Sequence, residues 1–158
     1  MKADPEFKLI LEKWGSEKAV DAFLKKEFDR INRAAFGGSL EMPELQIRPM
    51  EQNATGNYAA AERHRPAVIG IFTNVLMDED AARRVLAHYV IHHWENTLAT
   101  DWGNEDYPAS VDEEISKHFS TGYRERAWRS YHSRRFIEKA CDVAKALSIP
   151  AREVLFES

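Results

Sequence analysis

The sequence predicts a single α+β domain over residues 1–158, and three observations support this class. Apolar residues recur with helical spacing near both ends of the chain. Three short stretches in the middle have the composition of β-strands. With 158 residues, 44% hydrophobic and 30% charged, the chain is long enough for one sizeable core. Helices, then strands, then helices is an α+β order.

Two helices are predicted at the N-terminus. Pro5 near the start and Gly15 at the end of "PEFKLILEKWG" indicate a short first helix. Ser16 is a good N-cap for a longer helix that runs to about Phe36. The "FGG" that follows supplies a glycine for the left-handed conformation that commonly ends a helix.

The middle of the chain changes period and predicts three strands. "LQIRP" alternates, "TGNYAAAE" is small and β-tolerant, and "AVIGIF" is a short apolar run rich in β-branched residues. The simplest arrangement of these stretches is one small antiparallel sheet.

Helices are predicted again after the sheet. Asp78 can cap a helix that lasts to about Leu98, followed by a loop, "ATDWGNEDYPAS". Ser110 can cap a further helix over "VDEEISKHF", and Pro150 ends the last helix. The apolar face of that last helix consists of Phe136, Ala140, Val143, Ala144 and Leu147.

Composition narrows the class of protein and the chemistry of any metal site. No apolar run is long enough to span a membrane, and the N-terminus lacks a signal-peptide core, so cytoplasmic residence is expected. The single cysteine, Cys141, excludes an internal disulfide and a cysteine-rich zinc motif. It sits in an apolar face and is expected to be a small core residue. Any metal must therefore rest mainly on histidines and carboxylates.

"VLAHYVIHHWENT" places His88 and His92 one helical turn apart on the same face, where two imidazoles can bind one ion. In zinc proteases with this spacing, a glutamate directly follows the first histidine and acts as the general base. Here that position holds Tyr89. A phenol with a pKa of about 10 is neutral at pH 7, so it cannot readily accept a proton. It can instead pack against the sheet.

Four segments of the chain, in the same order, resemble the SprT-like family. They are "FDRINRAAFGGSLEMPELQIRP", "GNYAAAERHRPAVIGIF", "VLAHYVIHHW" and "YHSRRFIEKACDVAKALSIP". The similarity runs from about Asp29 to Pro150. The residues of the first segment that match the family pattern are Asn32, Phe36, Gly37, Gly38, Leu40 and Pro43.

The resemblance implies a minimal zincin-like metalloprotease domain, with a small antiparallel sheet packed against a metal-binding helix and flanking helices. It also implies Zn²⁺ bound by His88, His92 and His132, and proteolysis of DNA-bound or DNA-crosslinked proteins. From the residues alone, His132 lies four positions before Phe136 and can face inward, or it can be a surface or capping residue. His118 is the competing third ligand.

Three further side chains near the motif have open roles. Glu95 lies seven residues after His88, about 10.5 Å along a helix, so it is too far to replace the missing base. It can be a further ligand or a partner of one. His93 points about 100° away from His92 and is expected in packing or beside a ligand. His64, in the charged "RHR", is expected to be solvated.

The segment from Arg124 to Lys139 is basic within a chain of net charge −4. Its arginines alternate with aromatic residues, which suits phosphate contacts and base stacking in single-stranded DNA. A helix with a solvated arginine face and a buried aromatic face would have the same pattern. The candidate DNA-binding residues are Arg124, Arg126, Arg129, Arg134 and Arg135.

If this arginine segment binds DNA, affinity for single strands should fall steeply as salt rises, because phosphate binding releases counterions. Replacing Arg126 and Arg129 by alanine should weaken binding and flatten that salt dependence. Titration of a labelled oligonucleotide at several salt concentrations measures both effects. Absence of binding at low salt would leave a plain amphipathic helix.

The sequence thus leaves three functional hypotheses, which differ in the role of Tyr89. The chain is a catalytically silent relative that retains the metal and acts as a binding or adaptor module for a protein partner. Alternatively, it is an active zinc peptidase that cleaves a protein substrate, near DNA, with an unconventional base. In the third hypothesis, Tyr89 is an introduced substitution in an active enzyme.

Overall fold

The computed structural model describes residues 5–49, 54–97, 132 and 134–155, and their arrangement is α+β as predicted. The predicted loop after Leu98 and the predicted helix after Ser110 lie outside these residues. The described helices are α1 (Pro5–Trp14), α2 (Glu17–Phe36), α3 (Glu79–Thr97), α4 (Arg134–Leu147) and α5 (Ala151–Leu155). The described strands are β1 (Glu44–Arg48), β2 (Gly56–Ala59) and β3 (Val68–Phe72), and a short 3-10 helix, Thr73–Val75, follows β3.

Local capping chemistry sets the helix ends where the sequence predicts them. The Ser16 side chain accepts a hydrogen bond from the backbone N–H of Ala19 at 3.1 Å and caps α2. Gly37 ends the same helix in the left-handed conformation, at φ 62°. Before α3, Asp78 Oδ1 accepts a hydrogen bond from the N–H of Asp80 at 3.0 Å. These boundaries are confirmed.

The sheet is mixed, so the prediction of a purely antiparallel sheet is wrong. The strand order is β1-β3-β2, with β2 antiparallel and β1 parallel to β3. The short connection from β2 to β3 makes those two strands antiparallel neighbours. The chain reverses direction between β1 and β2 and again between β2 and β3. Strand β3, which lies between the other two, therefore runs in the same direction as β1.

Helix α3 is the central element of the core. It packs against β2 and β3 on one side and against α2, α4 and α5 on the others. Its apolar residues therefore surround most of its circumference instead of forming a single stripe. The buried apolar residues of α3 are Ala82, Val85, Leu86, Ala87, Tyr89, Val90 and Ile91. Polar side chains on such a helix need partners, because burial of an unpaired polar group costs about 1 to 3 kcal/mol.

The chain turns sharply after α4, and this turn places α5 beside α3. Ser148 has a positive φ of 58°, and Pro150 then precedes α5. Pro150 ends the last predicted helix, as expected, but a further short helix follows it. Val154 and Leu155 of α5 are fully buried. The backbone of α5 thereby reaches the middle of α3.

Candidate metal centre

Three histidines from separate parts of the chain converge in the core. His88 and His92 project from one face of α3, and His132 lies two residues before α4. One candidate ligand nitrogen from each ring lies within 4.8 Å of the others. His88 is fully buried and His132 is 8% exposed. The structure thus brings together the three residues predicted to bind zinc.

The orientation of His88 is fixed by a backbone carbonyl. Its Nδ1 lies 2.9 Å from the oxygen of Val154 in α5. A carbonyl only accepts hydrogen bonds, so Nδ1 carries the proton and Nε2 of the neutral ring carries the lone pair. Nε2 is therefore the atom of His88 that can bind a metal.

The spacing of two ring nitrogens matches a tetrahedral site. His132 Nε2 lies 3.4 Å from His88 Nε2. Two nitrogens that each lie about 2.0 to 2.1 Å from a tetrahedral zinc are roughly 3.3 to 3.4 Å apart. The same distance is beyond the usual range of a hydrogen bond between two nitrogens. Geometry therefore fits shared coordination better than a direct contact between the rings.

Glu95 lies beside the second histidine. His92 Nδ1 lies 3.4 Å from Glu95 Oε1, and Glu95 is only 5% exposed. A carboxylate beside Nδ1 leaves Nε2 as the ligand atom of His92. Of the two roles open to Glu95 in the sequence, its position supports that of a partner to a ligand.

We expect Glu95→Gln to weaken metal binding by about 10- to 100-fold, the usual cost of losing such an outer partner. Glutamine keeps the size of the side chain but not the charge that orients His92. Competition with a chelator of known affinity measures the change. Glu79→Gln, an exposed change in the first turn of the same helix, should have no effect. Equal affinity of the Glu95 variant and the wild type would contradict this role.

The ring of Phe136 packs against the rings of all three histidines. Its ring centroid lies 4.9 Å from that of His88, 4.5 Å from that of His92 and 4.7 Å from that of His132. Phe136 is fully buried. The contact with one ring holds the three imidazoles together on the same side of α4. The helical spacing of Phe136 predicts that it lies in the core but does not show its contact with the site.

The Tyr89 hydroxyl is hydrogen-bonded to the sheet, and the Tyr89 ring contacts the rings of His88 and His92, at 5.1 and 5.8 Å between centroids. Its O–H donates to the carbonyl oxygen of Gly56 in β2 at 2.8 Å, and the side chain is 7% exposed. The two residues fit closely: a Cβ at Gly56 would lie 2.8 Å from Tyr89 Cε2 and 2.6 Å from the oxygen of Gly70. The packing role that the sequence leaves open for Tyr89 is therefore the one that the structure shows.

His93 links three elements and is not a member of the cluster. Its Nε2 donates to the carbonyl oxygen of Glu41 at 2.7 Å, and its Nδ1 accepts from the hydroxyl of Tyr58 at 3.0 Å. Burial lowers the pKa of His93, which favours the neutral ring that this pattern requires. Burial also raises the pKa of Tyr58 and keeps its hydroxyl protonated as the donor. These contacts confirm the packing role expected for His93.

The other singled-out residues lie away from the site or outside the described residues. His64 is exposed in the turn after β2, as expected, and Cys141 is half-buried against the core. His118, Arg124, Arg126 and Arg129 lie outside the described residues. Arg134 and Arg135 form the start of α4. The rival third ligand and the DNA-binding segment therefore remain predictions.

Fold and site together define an α+β protein with a cluster of three histidines, two of which project from its central helix. No protein-family model matches this chain, and neither curated proteins nor solved structures gave a match. Within the described residues, no helix is both long and apolar enough to cross a membrane. Function must therefore be argued from the cluster and its neighbours.

Proposed function

We propose that this chain is a zinc-binding protein of zincin-like arrangement whose peptidase activity is weak or absent, and that it acts as a binding or adaptor module. One observation carries the proposal. Three histidines converge beside a tyrosine whose hydroxyl is committed to a backbone carbonyl of the sheet.

The position of the cluster in the fold supports a zincin-like arrangement. The helix with two of the histidines follows the last strand after a short 3-10 turn, and the sheet packs against that helix. The third histidine comes from a later part of the chain, just before the last long helix. These are the features that the resemblance to the SprT-like family leads us to expect.

The donor set supports zinc as the metal. Three imidazoles are a known zinc ligand set, and the His88 and His132 nitrogens lie at tetrahedral spacing, which leaves one position for a ligand other than these three residues. When bound, zinc supplies a Lewis acid that polarises a carbonyl. Two of the rings have a partner at Nδ1, the nitrogen that faces away from the cluster. The partner of His88 is the Val154 carbonyl, and that of His92 is the Glu95 carboxylate.

A zinc peptidase also needs a group that accepts a proton from the metal-bound water. The described carboxylate in contact with the cluster is Glu95, and its oxygen faces the far nitrogen of His92. The Tyr89 hydroxyl donates a hydrogen bond to the Gly56 carbonyl, so it is a poor proton acceptor. Neither Glu95 nor Tyr89 is thus placed as the base that a peptidase needs, which supports weak or absent hydrolysis over an active peptidase with an unconventional base.

Metal analysis and a peptidase assay on the same preparation test the two parts of the proposal separately. We expect close to one zinc per chain, and cleavage of an unfolded protein at or near the rate of the buffer control. A chain that binds no zinc would contradict the metal centre. Rapid cleavage that a chelator abolishes would establish the active-peptidase alternative instead.

A further inference from the structure

Helix α5 is joined to the histidine cluster by one hydrogen bond. The carbonyl oxygen of Val154 accepts it from Nδ1 of His88, at 2.9 Å. Between α5 and α3, the described residues contain no other hydrogen bond and no ion pair. Arg84 of α3 and Glu153 of α5 line the same cavity, of about 270 Å³, without pairing there. The polar contact that holds α5 on α3 is therefore the one to a candidate metal ligand.

The order of α5 depends on its docking. Five residues are too few for a helix that is stable by itself in water. Two apolar side chains, Val154 and Leu155, are fully buried, whereas Arg152 is exposed. The chain enters α5 through Ser148, at a positive φ of 58°, and Pro150. A short element that is held by two side chains and one hydrogen bond is of the kind that opens locally, before the rest of the fold.

Metal binding and the docking of α5 use opposite nitrogens of the same imidazole. As a metal ligand, His88 must offer the lone pair of Nε2, which lies 3.4 Å from His132 Nε2, so its proton lies on Nδ1 and faces Val154. Without a metal, the single proton of the neutral ring can reside on either nitrogen, and only Nδ1–H binds α5. Without α5, the ring loses the partner that fixes its orientation. Each event thus favours the ring arrangement that the other needs.

We propose that the docking of α5 on α3 is coupled to metal binding, so that α5 positions His88 for the metal and the metal in turn holds α5 in place. This inference rests on the proposed zinc centre. Loss of an outer partner of a ligating histidine typically lowers metal affinity by about 10- to 100-fold. Coupling between two binding events is reciprocal, so zinc should favour the docked helix by the same factor.

Trypsin cleavage after Arg152 measures the docking of α5 in the unaltered chain. The side chain is exposed, but cleavage requires a locally unfolded segment and follows the population of the open form. We expect saturating zinc to slow this cleavage by about 10- to 100-fold relative to the metal-free protein, as followed by intact mass. Cleavage after Lys13, which is exposed in α1, is the internal control and should slow much less. Equal slowing at both sites would show that zinc acts on global stability alone, and would overturn the coupling.

Variants of α5 test the coupling in the opposite direction. Leu155→Asp places a carboxylate in the buried contact of α5 and should lower zinc affinity by about 10- to 100-fold in chelator competition. Leu155→Met keeps the apolar volume and should retain the wild-type affinity. Arg152→Asp introduces the same carboxylate on the exposed side of α5 and should also retain it.

The outcomes for Leu155→Asp separate this inference from the proposed zinc centre. Wild-type zinc affinity in this variant would overturn the coupling and leave the zinc centre intact. Circular dichroism should show that the variant keeps nearly all of its helical signal. Loss of the whole signal would show that α5 is not a separate unit of the fold, and would also overturn the coupling. A wild-type chain that binds no zinc would overturn both proposals.

Discussion

His132→Ala is expected to lose most of the bound zinc. The wild-type ring places Nε2 at 3.4 Å from His88 Nε2 and is the donor of the cluster that does not come from α3. Loss of an outer partner such as Glu95 costs about 10- to 100-fold in affinity, and loss of a direct donor should cost more. Elemental analysis after gel filtration, followed by competition with a chelator, measures both the content and the affinity.

The same variant should lose the part of the stability that the metal provides. Zinc at 100 times its Kd would add about 2.7 kcal/mol to the free energy of unfolding, provided that the unfolded chain does not bind it. Chelator should therefore lower the melting temperature of the wild type and leave that of His132→Ala nearly unchanged. Metal-dependent stability in the variant would show that other donors hold the ion.

Two further histidine-to-alanine variants test whether the loss of zinc is specific to His132. His64→Ala removes an exposed imidazole from a turn and should retain full zinc. His118→Ala removes the rival third ligand and should also retain it. If His132→Ala keeps its zinc and His118→Ala loses it, the third ligand is wrongly assigned.

Local chemistry explains what the sequence predicts well. The Ser16 cap, the Gly37 helix end and the Asp78 cap each depend on residues within a few positions of one another. Strand pairing depends on contacts between distant segments. The three strands are therefore predictable as strands, but the insertion of β3 between β1 and β2 is not, and the parallel pair is missed.

The candidate site is likewise predictable where it depends on local spacing and not where it depends on contacts between distant segments. His88 and His92 follow from helical spacing alone, whereas His132 is assigned by resemblance because it lies 44 residues from His88. The Val154 carbonyl that orients His88 leaves no trace in the sequence, since every residue carries one. Glu95 is visible as a candidate, but the sequence does not separate a ligand from a partner of a ligand, and the structure places its carboxylate 3.4 Å from His92 Nδ1.

Tyr89→Phe is expected to leave peptidase activity at the low wild-type level while destabilising the fold. The variant removes the hydroxyl that donates to the Gly56 carbonyl at 2.8 Å, and a buried carbonyl without a donor costs about 1 to 3 kcal/mol. Denaturant titration should show this loss with zinc content unchanged. A Phe variant that loses robust wild-type turnover without losing zinc would show instead that the phenol is catalytic.

Tyr89→Glu is expected to raise peptidase activity without a large change in zinc affinity. General-base catalysis typically contributes about 10²- to 10⁴-fold in rate, or roughly 3 to 5 kcal/mol of barrier at 1.36 kcal/mol per tenfold. Glutamate also removes the donor to Gly56, so its cost in stability should resemble that of Tyr89→Phe. Comparison of the two variants at equal zinc content and equal folded fraction separates the new carboxylate from the lost hydrogen bond. If Tyr89→Glu is as inactive as Tyr89→Phe, the absence of a base is not what limits hydrolysis, and the cleft itself is not that of a peptidase.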